Sequence, residues 1–568
     1  MAGRTVLQWD KDDCAWMGLV KFDLLGLGIL AAIQYNFDLV GRHFGESWTL
    51  ATVPQEEQGV YDMLCLADSV GVFQVESRAQ MGMLPRLQPR RFYDLVIEVA
   101  LVRPGPIQGG AVHPYVKRRT AEEEVRYLHP ALEPVLERTL GVPLFQEQLM
   151  QMAMVVGNCS AADADVLRRA MGSKRGEERI DSLKATLYEG MAANGITGDT
   201  ADTIYAKIHA FANFGFAESH SISFALLVYV SAWLRLHYPG AFLASLLRAQ
   251  PMGFYSPQTL VADARRHGVV VLRPDILHSG VHADLEPLEG YAPPADPSAR
   301  VSGMDCCVAD VQQPVGTFDP DAPFDSTVHR RDANYAVRLG LAGVESVGVR
   351  SAERIVAERE RDGPFADMPD LARRTGLTSA QLEALAASGA FDSMGLSRRQ
   401  ALWNAGPAST EREGQIRGTG VYVQPPLLPE LSDVDKVGSD LWSTGITPDD
   451  HPVRHARDRL RRRGALTAVE LRTAAPGRRV EVAGVVTHRQ RPATASGITF
   501  LNLEDETGLV NVICSVGVWQ RHRRVAREAG SMIVRGILER SAEGVVNIVA
   551  DRLEVLRLRA TTRSRDFR

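Results

Sequence analysis

Little in these 568 residues points to zinc, to a disulfide framework or to a membrane span. The six cysteines (Cys14, Cys65, Cys159, Cys306, Cys307 and Cys514) form no CxxC pair. That excludes the close ligand spacing of a structural zinc and the paired pattern of a disulfide-dense secreted scaffold; the vicinal Cys306 and Cys307 read as incidental. No secretory leader is expected, and the longest apolar run, Ile222 to Leu236, is interrupted by Arg235. A helix needs about 20 apolar residues to cross a bilayer. The expectation is a cytoplasmic protein with no membrane partner. An excess of positive charge is also lacking: 64 Lys and Arg stand against 69 Asp and Glu, a net of −5. Any contact with nucleic acid must therefore use local basic patches on a near-neutral body. The length allows about three to five domains.

What is present is concentrated between Gly141 and Leu227. Arg168, Arg169, Lys174 and Arg175 are packed into eight residues around Gly172. A helix ending in a cationic turn suits phosphate, although a solvated helix C-terminus favours cations through its dipole and more often explains such a cluster. Further on, Gly215, Glu218, Ser219, His220 and Ser221 lie between a hydrophobic approach and a long apolar helix. The pattern predicts a polar loop with Ser219 or Ser221 as N-cap. On position alone His220 is more often a capping or packing residue than a catalyst. At the start of the chain, residues 1–14 read as irregular, Met17 to Asp23 alternate like a strand, and a helix follows from Leu24. On such a strand Leu19, Lys21 and Asp23 share a face. A cation beside a carboxylate can hold a triphosphate and its metal ion; equally, Asp23 can cap the helix. Residues 41–140 predict a helix, a basic turn at Arg86, Arg90 and Arg91, and a second helix stopped by Arg103-Pro-Gly-Pro.

The second half is read more by punctuation. Pro239 to Ile276 reads as a helix-rich piece with a Gly stop at Gly268 and a short β-rich run, and Leu277 to Asn334 as a Pro-, Asp- and Gly-rich connection with some short strands. From 335 to 405 a GVESVG turn feeds one helix and a second helical pair follows. This is either a helical linker with glycine turns or a helix-hairpin-helix, whose backbone N–H groups at Gly343, Val344 and Gly348 would meet a DNA phosphate. Gly406 to Gly464 is Gly- and Pro-rich and reads as a linker. Arg478 to Leu556 shows five short alternating runs with a helix between the third and fourth, the order of an OB-fold. Arg489, Arg491 and Phe500 are its candidates for holding a single strand, though aromatics are sparse there. The basic tail after Leu556 is expected to be disordered.

The segments LFQEQLMQMA, LRRAMGSK and GFAESHSISFAL, in that order, together with VKFDLLGLG, GVFQVESR and LVRPGPIQGG, resemble the bacterial C-family DNA polymerases. That family includes the replicative DNA polymerase III alpha subunit and its error-prone relatives; the QWDKDD opening and the RPGPIQGG turn lean toward the error-prone, damage-tolerant branch. The resemblance runs from about Gln8 to Leu556. It implies a multidomain α+β chain with a palm remnant over 1–40, helical fingers over 41–290, a connecting segment over 291–334, a helix-hairpin-helix module over 335–405, a linker over 406–475, an OB-fold over 476–558 and a basic tail over 559–568. It implies template-directed nucleotidyl transfer in translesion synthesis, with primer-template DNA and deoxynucleoside triphosphates as partners and two Mg²⁺ ions as cofactor. Asp23 would be the metal ligand and Lys21 would contact the incoming nucleotide. Arg168, Arg169, Lys174 and His220 would handle the triphosphate, and Arg78 and Arg103 would lie near nucleotide and template.

The departures from the family are as informative. A second palm strand with a P-D-x-D-type motif, the PHP domain and the thumb are absent. Two metal ions about 4 Å apart need several carboxylates, and Asp23 is one. Gln424 to Leu428 (QPPLL) lacks the terminal aromatic of a clamp-binding peptide, so no clamp contact is claimed. The expectation is the C-terminal part of an error-prone polymerase, inactive alone. The alternative is a non-catalytic DNA- and partner-binding fragment, or half of a split enzyme completed by the missing half and by translesion accessory proteins.

Overall fold

Ser160, Ser256, Asp367, Thr378, Ser397 and Ser432 each accept a hydrogen bond from the amide three residues on, and each starts a helix. Short capped helices of this kind make up most of the computed structural model. It describes residues 8–9, 11–20, 26–102, 112–171, 176–210, 216–293, 315–412, 414, 427, 429–492, 495–541, 544–559 and 564–567. The chain divides into two units, one of residues 1–30 and 77–229, the other of 31–76 and 230–568. Cys14, Cys65, Cys159 and Cys514 carry free thiols; Cys306 and Cys307 lie outside the described residues. No helix among the described residues is long and apolar enough to cross a membrane.

The first unit is helical. Arg78–Leu87 and Phe92–Leu101 form one pair. Gln146–Gly157, Ala161–Ala170, Lys184–Ala193 and Asp199–Ala210 enclose a core of Leu149, Met152, Val156, Leu167, Leu187, Met191, Ile204 and Ile208. A Cβ on Gly190 would lie 1.8 Å from the Gly157 carbonyl oxygen, so only glycine allows these helices to cross there. At the start of the chain two expectations fail. Lys11–Trp16 is a helix rather than an irregular approach, and 17–20 form no strand. The Met17 and Leu19 amides turn back to the Asp13 and Cys14 carbonyls around Gly18, whose φ is 73°, leaving no extended donors for a sheet.

The second unit holds a small sheet and a barrel. β1 (Val271–Leu272) runs parallel to β3 (Tyr335–Arg338), and β2 (Asp284–Pro287) pairs antiparallel on its other side. Helices Gly348–Asp362, Met368–Thr375, Ser379–Ser388 and Arg398–Ala408 then close over Leu341, Ile355, Leu371, Leu382 and Phe391. β4 (Ala465–Leu466) leads into β5 (Arg479–Gln490), β6 (Thr499–Asp505), β7 (Gly508–Cys514), β8 (Ser531–Arg540) and β9 (Val546–Val555), with β10 (Arg565–Phe567) beside β5. Pairing runs β5–β6–β7–β9–β8 and back to β5, a closed OB-fold barrel with no free edge among these five strands. Alternate residues such as Val482, Leu503, Val512, Val534 and Leu553 fill it.

Among the described residues, the segment expected as a linker before the barrel contains helices, and the longest wholly within it are Asp433–Ser443 and Arg457–Arg463. Charge pins them down. Arg273 and Arg398 meet Asp440 at 3.1 and 2.7 Å, and Arg457 meets Asp505 at 3.1 Å and Glu506 at 2.5 Å. The Glu504 carboxylate on β6 accepts from the Thr259 hydroxyl at 2.9 Å, and Arg266 reaches it at 3.4 Å, so this end of the β6 outer face packs on the Pro257–Arg266 helix.

Candidate functional site

The cationic helix end and the Glu218 region both attach to the Gln146–Gly157 helix of the first unit. Ala161–Ala170 follows it after a three-residue turn and packs on it through the shared core. Its last turn presents Arg168 and Arg169. Both guanidinium groups meet one carboxylate, Asp165, at 2.8 and 2.5 Å, with side chains 48% and 69% exposed. The Arg168 hydrogen bond, followed by the charges of both arginines, holds the Asp165 carboxyl below its ordinary range. Two cations on one solvent-facing carboxylate leave a surplus positive charge at the helix end. Lys174 and Arg175 lie outside the described residues.

The expected polar loop with a serine cap is corrected by the structure. Helix Glu218–His237 begins at Glu218, so Ser219, His220 and Ser221 occupy its first turn. The Glu218 amide donates to Glu147 Oε2 at 3.0 Å, and the Gln146 amide donates to the Phe216 carbonyl at 3.0 Å. Glu147, on a helix 71 residues upstream, therefore does the capping assigned to serine. Ser221 is buried and donates from Oγ to the Val96 carbonyl at 2.6 Å. The Glu218 carboxylate accepts from the Tyr93 hydroxyl at 2.6 Å, and burial together with Glu218 raises the Tyr93 pKa. His220 is half-buried between Phe216 and Phe224, with ring centroids at 5.4 and 4.3 Å. The Gln146–Gly157 helix thus positions both groups. Glu147 and Tyr93 carried no local signal beyond an acidic first turn and an aromatic at a helix start.

Arg78 is the first residue of its helix and is half-buried. Desolvation pulls its guanidinium pKa down to about 10. Asp23, Lys21 and Arg103 lie outside the described residues.

In the second unit, the hairpin turn exposes Gly343, Ser346 and Gly348, and nothing occupies the space a Cβ would take at either glycine. Ser346 and Gly348 both have a φ of 63°. Val344 is corrected: its side chain is 2% exposed and its amide donates to the Leu341 carbonyl, so it faces the core rather than a phosphate. The Glu345 amide donates to the Ser443 carbonyl at 2.6 Å. Arg489 is corrected for a similar reason. It is 7% exposed, and its guanidinium donates to the Ala526 carbonyl at 2.7 Å, to the Ser564 hydroxyl at 2.6 Å and to the Ala529 carbonyl. Arg491 is exposed, and Phe500 is half-buried in register with Gln490 and Ile513.

A cluster of acidic and histidine groups does exist. Asp68, Asp263 and His267 place ligand atoms within 4.8 Å of one another. The Arg235 guanidinium, however, already bridges the two carboxylates, donating to Asp263 at 2.7 Å and to Asp68. Mg²⁺ requires a near-octahedral shell of oxygens. A site filled by a guanidinium and completed by an imidazole does not fit that ion, and these residues take no part in a metal step. His267 faces two acceptors, the Asp68 carboxylate at 2.7 Å and the Asp263 carbonyl at 2.8 Å. Burial, the largest influence, and the Arg235 charge would lower its pKa, but the hydrogen bond to Asp68 and the charges of Asp68 and Asp263 together outweigh them, and the net shift is upward.

A model of the bacterial DNA polymerase III alpha subunit finger domain matches residues 29–195. A helix-hairpin-helix motif model matches 268–401, and an OB-fold nucleic acid binding domain model matches 480–556. The chain is similar along its whole length to proteins named error-prone DNA polymerase. That of Cutibacterium acnes is 62% identical, with 50% of its own length covered. That of Nocardia farcinica is 55% identical with 46% covered, and that of Mycobacterium tuberculosis 52% identical with 48% covered. The chain spans about half the length of the curated relatives it matches. Among solved structures, the asparaginyl-tRNA synthetase of Pyrococcus horikoshii aligns over 16% of this chain and 23% of its own, at 25% identity and a TM-score of 0.14, too local to carry an argument.

Proposed function

The chain belongs to the family of the bacterial DNA polymerase III alpha subunit and its error-prone relatives, and on that premise we propose that it supplies the fingers and DNA-binding modules of a translesion DNA polymerase. The observation that carries this reading is the 62% identity extending over the entire chain. The reaction is attack of a primer 3′-hydroxyl on the α-phosphate of a deoxynucleoside triphosphate, with loss of pyrophosphate. Mg²⁺, when bound, would supply Lewis-acid activation of the hydroxyl and charge neutralisation of the leaving group; Asp23 is the residue of this chain that would hold it. Lys21, Arg168, Arg169 and Lys174 neutralise the triphosphate, whose charge otherwise resists attack. His220, clamped between Phe216 and Phe224, orients a phosphate or the nascent base pair. Arg78, half-buried at the start of its helix, meets the nucleotide. The family resemblance gives Arg103 a role toward the template. Gly343 and Gly348 let a duplex phosphate approach the backbone, and Arg491 and Phe500 hold a single strand.

The second reading follows from the half-length match. Alone, the chain binds DNA without extending a primer, and a second polypeptide or segment supplies the other carboxylates. Replacing the corresponding half of the Cutibacterium acnes polymerase with this chain tests both readings. Primer extension by the chimera, lost on Asp23→Ala, supports the proposal. A folded chimera that binds primer-template yet adds no nucleotide sinks it.

A further inference from the structure

The start of barrel strand β5 carries a group of arginines that the proposed chemistry leaves unused. Along β5 the side chains alternate: Val480 and Val482 enter the core, and Arg479 and Glu481 face out. Register sets Glu481 opposite Arg535 on β8, and Arg535 opposite Arg552 on β9. Arg463, the last residue of the Arg457–Arg463 helix, reaches over β4 to Glu481 at 2.6 Å and Glu554 at 2.8 Å. Between them lies a surface pocket of ≈ 210 Å³, lined by Arg463, Arg478, Arg479 and Arg535 with Glu481 as its one acid.

The local charges do not balance. Arg479 and Arg535 share one carboxylate, Asp551, each at 2.8 Å. Arg552 shares Glu554 with Arg463, at 2.7 Å. Arg478 is exposed and has no ion-pair partner among the described residues. Five guanidinium groups thus face three carboxylates, and Arg463, Arg479, Arg535 and Arg552 remain 38–61% exposed. A surplus of two positive charges around a concave surface calls for an anion. Guanidinium forks match phosphate oxygens in geometry as well as charge. No aromatic lines the pocket, so nothing there can stack a base or a nucleoside. The positive surface also continues beyond it, through Arg461 and Arg462 in the last turn of the same helix and through exposed Arg557. A track of this kind suits a polymer of phosphates better than one small anion.

We propose that the Arg463, Arg478, Arg479 and Arg535 pocket is a phosphate-backbone site for a nucleic-acid strand, separate from the Phe500 face of the barrel. The choice of ligand rests on the reading of this chain as part of a DNA polymerase; the pocket itself does not. The test is fluorescence anisotropy of the full chain with a labelled oligothymidine of about 20 nucleotides, titrated at several KCl concentrations. Removing two phosphate contacts by Arg478→Ala with Arg535→Ala is expected to weaken binding about 10-fold and to shallow the salt slope by about 1.4. Arg478→Glu alone, at an exposed position that leaves the fold intact, is expected to act in the same direction. Asp551→Asn frees two arginines and is expected to tighten binding, which a merely structural role would not do. Unchanged affinity and slope in the double variant overturn the proposal. So does a double variant that loses only inorganic tripolyphosphate, which would make this a free-phosphate site. If Arg491→Ala with Phe500→Ala weakens binding while the pocket variants do not, only this inference falls; if the unmodified chain binds no DNA, the proposed function falls with it.

Discussion

Arg489 in the barrel and Arg168 at the finger helix end are the same residue under opposite conditions. Arg489 is buried, and its donors are engaged by the Ala526 and Ala529 carbonyls and the Ser564 hydroxyl. Arg168 is half exposed and shares Asp165 with a second arginine. The barrel cation is completed by its own chain; the helix-end cation is left with charge to offer. What decides a role is whether the counter-charges and acceptors are already built in, not the residue type. Arg235, held by Asp68 and Asp263, stands at the built-in extreme, and Arg478 stands at the other.

That comparison breaks most easily at Arg235. Arg235→Ala would leave the buried Asp263 and the partly buried Asp68 carboxylates without their cation, and a loss of about 3–5 kcal/mol is expected in urea unfolding. A loss below about 1 kcal/mol would mean that the pair is solvated and not built in. Arg489→Ala removes charged hydrogen bonds to buried carbonyls and should cost about 2–3 kcal/mol. A lowered DNA affinity for that variant with no loss of stability would return Arg489 to the binding face. The His267 contribution has a definite sign. Its folded pKa is raised above the ordinary 6.5, so its stabilisation is complete below about pH 6.5 and fades as pH rises through the folded value. Stability measured from pH 6 to 9 should fall along that range in the natural chain and lose this component in His267→Gln. The smallest effect belongs to the helix end. Arg168→Ala should change stability by less than about 0.5 kcal/mol, because exposed pairs contribute little; a large thermal shift would show that the pair is structural.

Much of this was legible in the chain. The alternation from Arg478 to Leu556, with a helix between the third and fourth runs, already described the barrel. The cations of LRRAMG already sat in the last turn of a helix. What local pattern could not show were partners far away in sequence. The carbonyls that bury Arg489 lie 37 and 40 residues on, and Glu147, which sets the start of the Glu218–His237 helix, lies 71 residues before it. Val344 looked like part of a solvent-facing turn, but the helices that cover it are specified elsewhere. Asp433 to Arg463 looked like a linker because its anchors, Arg273, Arg398 and Asp505, belong to other modules.

The central claim is that Arg168 and Arg169 offer their uncompensated charge to a triphosphate. Steady-state kinetics of Arg168→Ala with Arg169→Ala, in a polymerase completed by a relative's other half, tests it directly. The account predicts a nucleotide KM raised at least about 10-fold, with primer-template affinity unchanged. Equal losses for nucleotide and primer, or none for nucleotide, would contradict it.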